Sequence, residues 1–390
     1  MKINFTYEVK TIDKIEFEPT HMPALYRTGH FAFGFTPDER AKIRRYCING
    51  GFIIFDACCG QDEFTRSALG ELKAIFPETM PEPLAPDHPI CNCYYTIDTV
   101  KLHDSRGEGV APAPLLGINI GCRTVAVFSP YDMSCGWDLH QHTGMKAVDY
   151  ADSLKMGANL IAYAIATKPM GMSLADSIVF VDPDVTNTDT FRVARIMHKG
   201  EWNPDPAGLS VLLDTMSRTT SLKVSFDRKE LSLSDPEMYT YPFLYLTGHK
   251  DFKLRDEEVD VLRRYLTNGG FLLADACCGR QVFDFAFRRE LKRVLPDETL
   301  APIPPGHQVY RSPNAITQVQ YTPAAMFKMR APTTAPLLEG ITLRGSLAVI
   351  YSKYDLGCGW ELKPHPYGAG YESRSAISLG TNAIIYAMTH

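Results

Sequence analysis

The sequence lacks the segments that would place the chain in a membrane or on a nucleic acid. None of its apolar stretches reaches the roughly 18 residues that a membrane helix needs. No run of five or more Lys or Arg residues occurs, and the net charge of −5 leaves no basic surface for binding phosphates. We therefore expect neither a membrane span nor a nucleic-acid partner.

The sequence is also poor in signals for secretion and for cofactors. Residues 1–25 lack the apolar core of a signal peptide, and ten cysteines in 390 residues are too few for a disulfide scaffold. We expect a soluble, cytoplasmic protein, or an extracytoplasmic one if an N-terminal signal is missing. No GxGxxG or Walker motif is present, so the sequence supports no nucleotide-phosphate site, and we assign no cofactor.

The most informative feature of the chain is an internal repeat. Residues 44–60 align without gaps to residues 263–279, and 12 of these 17 positions are identical. Two further pairs of blocks match in the same order, 25–30 with 244–249 and 129–137 with 352–360. This agreement establishes a tandem duplication.

Each repeat alternates short apolar strands with helices. In the first repeat the pattern predicts strands at 24–28, 52–55 and 124–129, and helices at 37–49, 61–76 and 148–166. Continuous apolar runs such as 52–55 are typical of strands buried on both faces of a parallel sheet. The alternation therefore predicts two α/β domains, each with a doubly wound parallel sheet of the flavodoxin-like kind.

The two repeats differ in length. The second has an extra leading unit, a strand at 191–197 and a helix at 206–217, for which the first has no room. Either the first repeat is a reduced domain or sequence is missing upstream. We predict a first domain at 1–168, a junction at 169–189 that contains Pro169, and a second domain at 190–390.

Chemically reactive residues follow three strands of each repeat. In the first repeat these strand ends carry His30, the run Asp56-Ala57-Cys58-Cys59-Gly60, and the run from Asp132 to Trp137 that contains Cys135. Ligands of open parallel sheets bind beyond the carboxyl ends of the strands. We therefore predict a site at this edge, called here the rim, in each repeat.

Three interpretations of the rim cysteines remain open. A thiol at a helix N-terminus can have a lowered pKa and act as a nucleophile with a histidine base. Alternatively, zinc could bind His30, Asp56, Cys59 and Cys135. The sequence has no Cys-x-x-Cys pair, however, so we assign no metal. A disulfide could also join Cys59 to Cys135, repeated as Cys278 to Cys358, and Cys58 could simply pack in the core. The candidate catalytic residues are Cys58, Cys59 and His30, with counterparts Cys277, Cys278 and His249.

Other repeated polar and aromatic residues are candidates for ligand binding. The aspartates could orient a base or a ligand, or they could cap the next turn. The tryptophans could stack on a ligand or pack under their loop. Asn159 and Asn382 fit buried hydrogen-bonding positions better than catalytic ones. The candidate ligand-binding residues are Asp56, His88, Asp132 and Trp137, with counterparts Asp275, His307, Asp355 and Trp360.

The repeated blocks resemble a bacterial family, domain of unknown function 4159, present here as a tandem pair. The resemblance rests on residues 241–249, on the run from Arg264 to Gly279 and on the run from Tyr354 to Trp360. That family is in turn similar to the class I glutamine amidotransferase-like fold, which has a nucleophile in a Gly-x-Cys-x-Gly turn. The resemblance implies that Cys58 and Cys277 occupy the nucleophile position. Asp56 and Asp275 replace the first glycine, and no His-x-Glu pair completes a triad.

Two functional hypotheses follow. The first is a binding or assembly module whose rim loops hold a polar ligand, a peptide or a partner protein, because the rim is duplicated without a complete triad. The alternative is a cysteine-dependent hydrolase or amidase with Cys58 and Cys277 as nucleophiles.

Overall fold

The computed structural model describes residues 6–105, 107–140, 144–175, 189–219, 224–362 and 365–390. The chain divides into two compact units, residues 1–176 and 177–390, called here unit 1 and unit 2. Each unit is described by itself. Over the part of the chain that the structure describes, no helix is long and apolar enough to cross a membrane.

Unit 1 contains a five-stranded sheet and a small three-stranded sheet. Its strands are β1 (Ala24–Gly29), β2 (Phe52–Ala57), β3 (Glu82–Pro83), β4 (Val100–Asp104), β5 (Gly107–Ala111), β6 (Leu116–Ile120), β7 (Arg123–Ser129) and β8 (Ala147–Val148). Its helices are α1 (Pro37–Ile48), α2 (Asp62–Ile75), α3 (Pro89–Asn92), α4 (Ser134–Trp137) and α5 (Tyr150–Ala175). The larger sheet has the order β1-β2-β7-β6-β3, and the smaller one has the order β5-β4-β8.

The described residues of unit 2 form a seven-stranded sheet. Its strands are β9 (Asp189–Met197), β10 (Val224–Ser232), β11 (Phe243–Gly248), β12 (Phe271–Ala276), β13 (Ala301–Pro302), β14 (Glu339–Leu343) and β15 (Ser346–Ser352). Its helices are α6 (Gly208–Thr219), α7 (Asp256–Thr267), α8 (Gln281–Val294), α9 (Pro323–Lys328), α10 (Gly357–Trp360) and α11 (Ser373–Thr389). The strand order is β10-β9-β11-β12-β15-β14-β13.

The sheets are mixed rather than wholly parallel. In unit 2, β10, β9, β11, β12 and β15 are parallel, whereas β14 and β13 join the edge in the antiparallel direction. Unit 1 has the same arrangement, with β6 and β3 antiparallel beside the parallel strands β1, β2 and β7. The predicted α/β class is confirmed, and the prediction of a purely parallel sheet is corrected at this edge.

The core of unit 2 lies on both faces of its sheet. Alternate residues of β11 point to opposite faces, so Phe243 and Tyr245 pack with α6 and α11, whereas Leu244 and Leu246 pack with α7 and α8. Strands covered on both faces must be apolar throughout, which explains the continuous apolar runs in the sequence.

Glycine pairs explain how the helix before each central strand ends. Gly50 follows α1 with a φ of 112°, a conformation that glycine adopts without strain. At Gly51 a Cβ atom would lie 2.3 Å from the ring of Tyr46, so the second glycine leaves room for that tyrosine. Gly269, Gly270 and Tyr265 repeat this arrangement in unit 2.

One strand of unit 1 lies at the edge of its sheet in the described residues, whereas its counterpart in unit 2 is central. In unit 2, β11 lies between β9 and β12 and all six of its residues are buried. Among the described residues its counterpart β1 has β2 as its one neighbour, and Tyr26, Arg27 and Thr28 are exposed. Helix α5 extends to Ala175 and contains Pro169, which we expected in the junction. Residues 176–188 lie outside the described residues.

Candidate functional site

The rim of each unit is built around a tight Cys-Cys-Gly turn between a buried strand and a helix. Cys59 has φ 53° and ψ 13°, and Cys278 has φ 54° and ψ 15°, so both residues lie in the left-handed region that disfavours most side chains. A Cβ atom on the following Gly60 would lie 2.5 Å from Lys146, and one on Gly279 would lie 2.6 Å from the carbonyl of Ala369. The turn is therefore held tightly against the next loop.

One aspartate of each unit connects two rim loops. In unit 2 the carboxylate of Asp275 accepts hydrogen bonds from Tyr245 Oη at 2.7 Å and from the Leu356 and Gly357 N–H groups at 2.8 and 3.4 Å. In unit 1 Asp56 accepts from Tyr26 Oη at 2.6 Å and from the N–H groups of residues 133 and 134, each at 3.1 Å. Burial raises the pKa of Asp56 to about 7 and that of Asp275 to about 6.

A second aspartate of each unit binds the Cys-Cys turn itself. Asp132 accepts hydrogen bonds from the Cys59 N–H, from the Cys135 N–H at 2.9 Å and from Ser134 Oγ at 2.9 Å. Burial disfavours the charge of this carboxylate, but the hydrogen bonds from Cys135, Cys59 and Ser134 hold its pKa below the usual range. Asp355 accepts in the same way from the N–H groups of Cys278 and Cys358. All four aspartates therefore fit the capping role that we considered.

These connections bring three thiols together in each unit. In unit 2 the sulfurs of Cys277, Cys278 and Cys358 form a triangle in which each pair is 3.9 Å apart. Asp205 Oδ2 and Asp355 Oδ2 lie 3.3 and 3.4 Å from the Cys277 sulfur. The distance between Cys278 and Cys358 is far longer than the disulfide bond length of about 2.05 Å, so the predicted disulfide is not formed there.

Unit 1 has the same cluster. The sulfurs of Cys58 and Cys135 are 3.9 Å apart, and one ligand atom from each of Cys58, Cys59, Cys135 and Asp132 lies within 4.8 Å of the others. The zinc set considered from the sequence is thus corrected, because Cys58 and Asp132 stand in place of His30 and Asp56. Asp56 instead binds the neighbouring loop.

The clusters differ in their exposure. In unit 2 the exposed fractions of Cys277, Cys278 and Cys358 are 0%, 4% and 9%. In unit 1 all three cysteines are half-buried, and Cys59 lines a cleft of about 820 Å³. The walls of this cleft include His30, Gln61, Asp104, Tyr131 and Lys146.

A histidine joins the cluster in unit 2. The imidazole of His249 is hydrogen bonded to Cys278, and its Nδ1 lies 3.1 Å from Glu201 Oε2. Burial alone would lower the pKa of His249, but Cys278 and Glu201 raise it to about 10. His249 therefore lies beside Cys278, where the hydrolase hypothesis requires a base. The exposed His30 of unit 1 shares the cleft with Cys59.

The expected lowering of a thiol pKa is contradicted at Cys58. Burial and the charge of Asp132 raise the pKa of Cys58 to about 12, and they also raise the pKa of Cys135. The 3-10 turn at Cys58–Gly60 precedes the helix, so Cys58 lies before the first turn of α2. The helix dipole lowers a thiol pKa only within the first turn, whereas burial raises the pKa of Cys58 wherever the helix begins.

The structure does not bring two predicted histidines to the rim. His88 Nδ1 accepts the N–H of Ile90, and its Nε2 lies 2.8 Å from Thr124 Oγ1 at the start of β7. This position is at the amino end of the strand, opposite the thiols. His307 likewise caps a turn by accepting the N–H of Val309. Both ligand-binding assignments are corrected to structural roles.

The tryptophans and the repeated asparagines also have structural roles. Trp360 is fully buried, and its Nε1 donates to the carbonyl of Ala376 at 2.9 Å, so it cannot stack on a ligand. Trp137 donates to the carbonyl of Ser153 in the same way. The amide nitrogens of Asn159 and Asn382 donate to loop carbonyls from buried positions, which confirms the hydrogen-bonding role predicted for both.

Sequence comparison missed two residues of the unit 2 cluster, Glu201 and Asp205. Both lie in the loop between β9 and α6, which belongs to the leading unit found only in the second repeat. A search for matching blocks had nothing in the first repeat to align with them. The extra unit itself was the signal that could have directed attention to this loop.

Comparison with known proteins identifies one family. The model of the family described as Domain of unknown function (DUF4159) matches residues 1–165 and again residues 192–388. No curated protein matches the chain. Because these two matches together cover most of the sequence, the chain belongs to the DUF4159 family and carries its domain twice.

Proposed function

We propose that each repeat is a metal-binding module whose rim thiols hold a thiophilic divalent cation such as Zn²⁺. The observation that carries this proposal is the sulfur triangle of unit 2, in which Cys277, Cys278 and Cys358 are mutually 3.9 Å apart. A tetrahedral site with zinc–sulfur bonds of about 2.3 Å has sulfur–sulfur edges of about 3.8 Å. The triangle therefore has the size of one face of such a site.

Oxygen donors stand beside this face. Asp205 and Asp355 each place Oδ2 within 3.4 Å of the Cys277 sulfur, and Asp132 belongs to the cluster of unit 1. Zinc accepts carboxylate oxygens as well as thiolates. In unit 2 the three thiols and Asp205 supply the four ligands of a tetrahedral site, and in unit 1 three thiols lie together with Asp132 beside them.

The burial of charge supports a cation in unit 2. Asp205 and Asp355 are each exposed by 1%, and both lie beside thiols that are themselves buried. Burying several carboxylates is unfavourable unless protons or a cation neutralise them. A divalent ion would neutralise the cluster without any change in the loops.

His249 and Glu201 fit the surroundings of a bound metal. Metal ligands commonly accept or donate hydrogen bonds that fix their orientation. An imidazole N–H directed at the Cys278 sulfur would stabilise its thiolate, and Glu201 would hold the ring from the other side. This pair gives the unit 2 site a second layer that the exposed His30 does not supply in unit 1.

A second candidate function is cysteine-dependent acyl hydrolysis at Cys278. The chain of contacts Cys278–His249–Glu201 favours it, because a nucleophile, a base and an orienting carboxylate follow one another. The thiolate would attack an amide carbonyl to form a thioester, His249 would protonate the departing amine, and water would then release the acid. In this hypothesis Cys278 is the nucleophile instead of Cys277.

The order of the strands supports a flavodoxin-like classification of unit 2. The order β10-β9-β11-β12-β15 corresponds to the doubly wound order 2-1-3-4-5, in which ligands bind between the first and third strands. Glu201 and His249 follow those two strands, β9 and β11. We also propose that the domain has the class I glutamine amidotransferase-like fold.

Metal analysis of the purified chain tests the main proposal. We expect about two zinc ions per chain, one for each repeat, in protein produced with zinc and purified without chelators. Cys135→Ser and Cys358→Ser should each remove one ion. Cys93→Ser is the matched control, because Cys93 is half-buried and its Sγ donates to the carbonyl of Asn159 outside either cluster. Folded protein that binds no zinc at micromolar free concentration would refute the proposal.

Alkylation distinguishes the two candidate functions. A metal ligand should react with iodoacetamide only after a chelator removes the ion, so labelling of Cys278 should depend on the chelator. A catalytic thiol should react without a chelator, and His249→Gln should abolish that reaction. Chelator-independent labelling of Cys278 that depends on His249 would favour the hydrolase.

A further inference from the structure

We infer that the two metal sites have different roles: the site of unit 2 is closed, whereas the metal of unit 1 has a coordination position that faces the cleft and is open to a small exogenous ligand. This inference rests on the proposed function. It assigns a ligand site to the first repeat, in the cleft beside Cys59.

The first argument concerns the oxygen ligands. In unit 2 the carboxylate of Asp205 reaches the Cys277 sulfur from the loop after β9. The described part of unit 1 has no counterpart of β9, and Asp132 is the one carboxylate in its thiol cluster. The ligand that closes the site of unit 2 is therefore lacking among the described residues of unit 1.

The second argument concerns Asp132 itself. Its Oδ1 accepts hydrogen bonds from Cys135 N–H and Ser134 Oγ, and its Oδ2 accepts one from Cys59 N–H. These bonds hold the strained Cys-Cys turn against the next loop. Asp355 accepts the same backbone bonds in unit 2, so in both units this carboxylate positions the thiols. Asp205 is then the further ligand of unit 2, and three thiolates remain as the principal ligands of the metal in unit 1.

The third argument concerns access. Catalytic and ligand-binding zinc sites keep one position open, whereas structural sites are closed by four protein ligands. The half-buried thiols of unit 1 and the cleft that Cys59 lines match the first kind. The thiols of unit 2, which are exposed by 9% or less, match the second.

The lining of the cleft indicates the class of ligand. Lys146 lies beside the turn, where its N–H donates to the Cys59 carbonyl and its ammonium group lies 4.7 Å from the centre of the Tyr131 ring. Its counterpart in unit 2 is the fully buried Ala369, which makes the same backbone contact with Cys278. Asp62, Glu63 and Asp104 also line the cleft, so Lys146 is the positively charged group that can hold a small donor ligand such as azide beside the open metal position.

The rate of metal loss tests the difference between the sites. We load the full chain with two cobalt ions and follow their removal by EDTA in the visible spectrum. Two phases of equal amplitude should appear, with the faster at least about tenfold faster, because an open position admits the chelator. Cys135→Ser should remove the fast phase, and Cys358→Ser should remove the slow one. A single phase for two bound ions would overturn the inference and leave the proposed function intact.

Azide provides a second, independent readout. Adding azide to the cobalt-loaded chain should shift the spectrum of the ion in unit 1 in a saturable way, and the shift should persist in Cys358→Ser. Lys146→Ala should weaken azide binding without lowering the cobalt content. If both ions bind but azide changes neither spectrum, the inference fails. If no cobalt binds to the folded chain, the proposed function fails as well.

Discussion

Removal of the Asp275 carboxylate should destabilise unit 2 strongly. Asp275 is fully buried, and its two shortest hydrogen bonds come from Tyr245 Oη and from the Leu356 N–H, whose residues are exposed by 0% and 1%. In Asp275→Ala neither donor can reach water. Hydrogen bonds to charged groups contribute about 1.5–3 kcal/mol each, so the loss of two should lower the free energy of unfolding by about 3–6 kcal/mol.

Urea denaturation followed by tryptophan fluorescence measures this change. Trp137 is the single tryptophan of residues 1–176, so a Trp137→Phe background assigns the signal to unit 2. The assay is run at pH 8, where Asp275, with a pKa raised by burial to about 6, is ionised. Fixed free zinc keeps metal binding equal in both proteins.

Asp56→Ala is the matched comparison. Its carboxylate accepts from Tyr26, which is 41% exposed and can hydrogen bond to water after the substitution. The loss in unit 1, followed in the Trp137-containing chain, should therefore be about half as large. A loss below about 1 kcal/mol for Asp275→Ala would show that the loops do not depend on this carboxylate, and it would refute the reasoning.

Two further predictions concern unit 2. His198 is held neutral, with Gly200 N–H donating to Nδ1 and Nε2 donating to the Thr247 carbonyl, and burial lowers its pKa to about 4. The unfolded chain binds a proton near pH 6.5 and the folded chain does not, so unit 2 should lose up to about 3 kcal/mol as the pH falls from 7 to 4. Urea midpoints over this range should show a smaller loss in His198→Gln, and equal losses would contradict this assignment. In Gly380→Ala the new Cβ would lie 2.8 Å from Trp360 Nε1. This overpacking should lower the unfolding free energy by about 1–3 kcal/mol. An unchanged melting temperature would exclude a tight contact.

Local chemistry in the sequence was sufficient to predict most of the elements that form the rim. The capping box at Thr36 begins α1 as predicted, and the apolar run at 52–55 forms β2. Strand β10 was missed because its residues 228–230, Arg-Lys-Glu, are charged and exposed at the edge of the sheet. Such a strand is stabilised by backbone pairing with β9, which leaves no apolar pattern in the sequence.

The site was predictable only where backbone topology decides it. Parallel strands deliver Cys58, Cys135 and Asp132 to one edge, and the position of these residues in the chain was enough to predict that convergence. The prediction wrongly placed His88 at the rim, because its loop leads back to the start of β7. That path depends on tertiary packing. Which aspartate faces the sulfurs depends on hydrogen bonds across two loops, which residue spacing does not reveal.

The left-handed backbone of the Cys-Cys turn has a consequence for how the two copies have changed. A non-glycine residue in this conformation costs about 1 kcal/mol, and glycine at Cys59 or Cys278 would relieve that cost. Both copies nevertheless have cysteine there, although they have diverged at many other positions, including Lys146 and Ala369. Both copies thus have a sulfur where the backbone would favour glycine, which is expected if the turn exists to present that atom and not merely to reverse the chain.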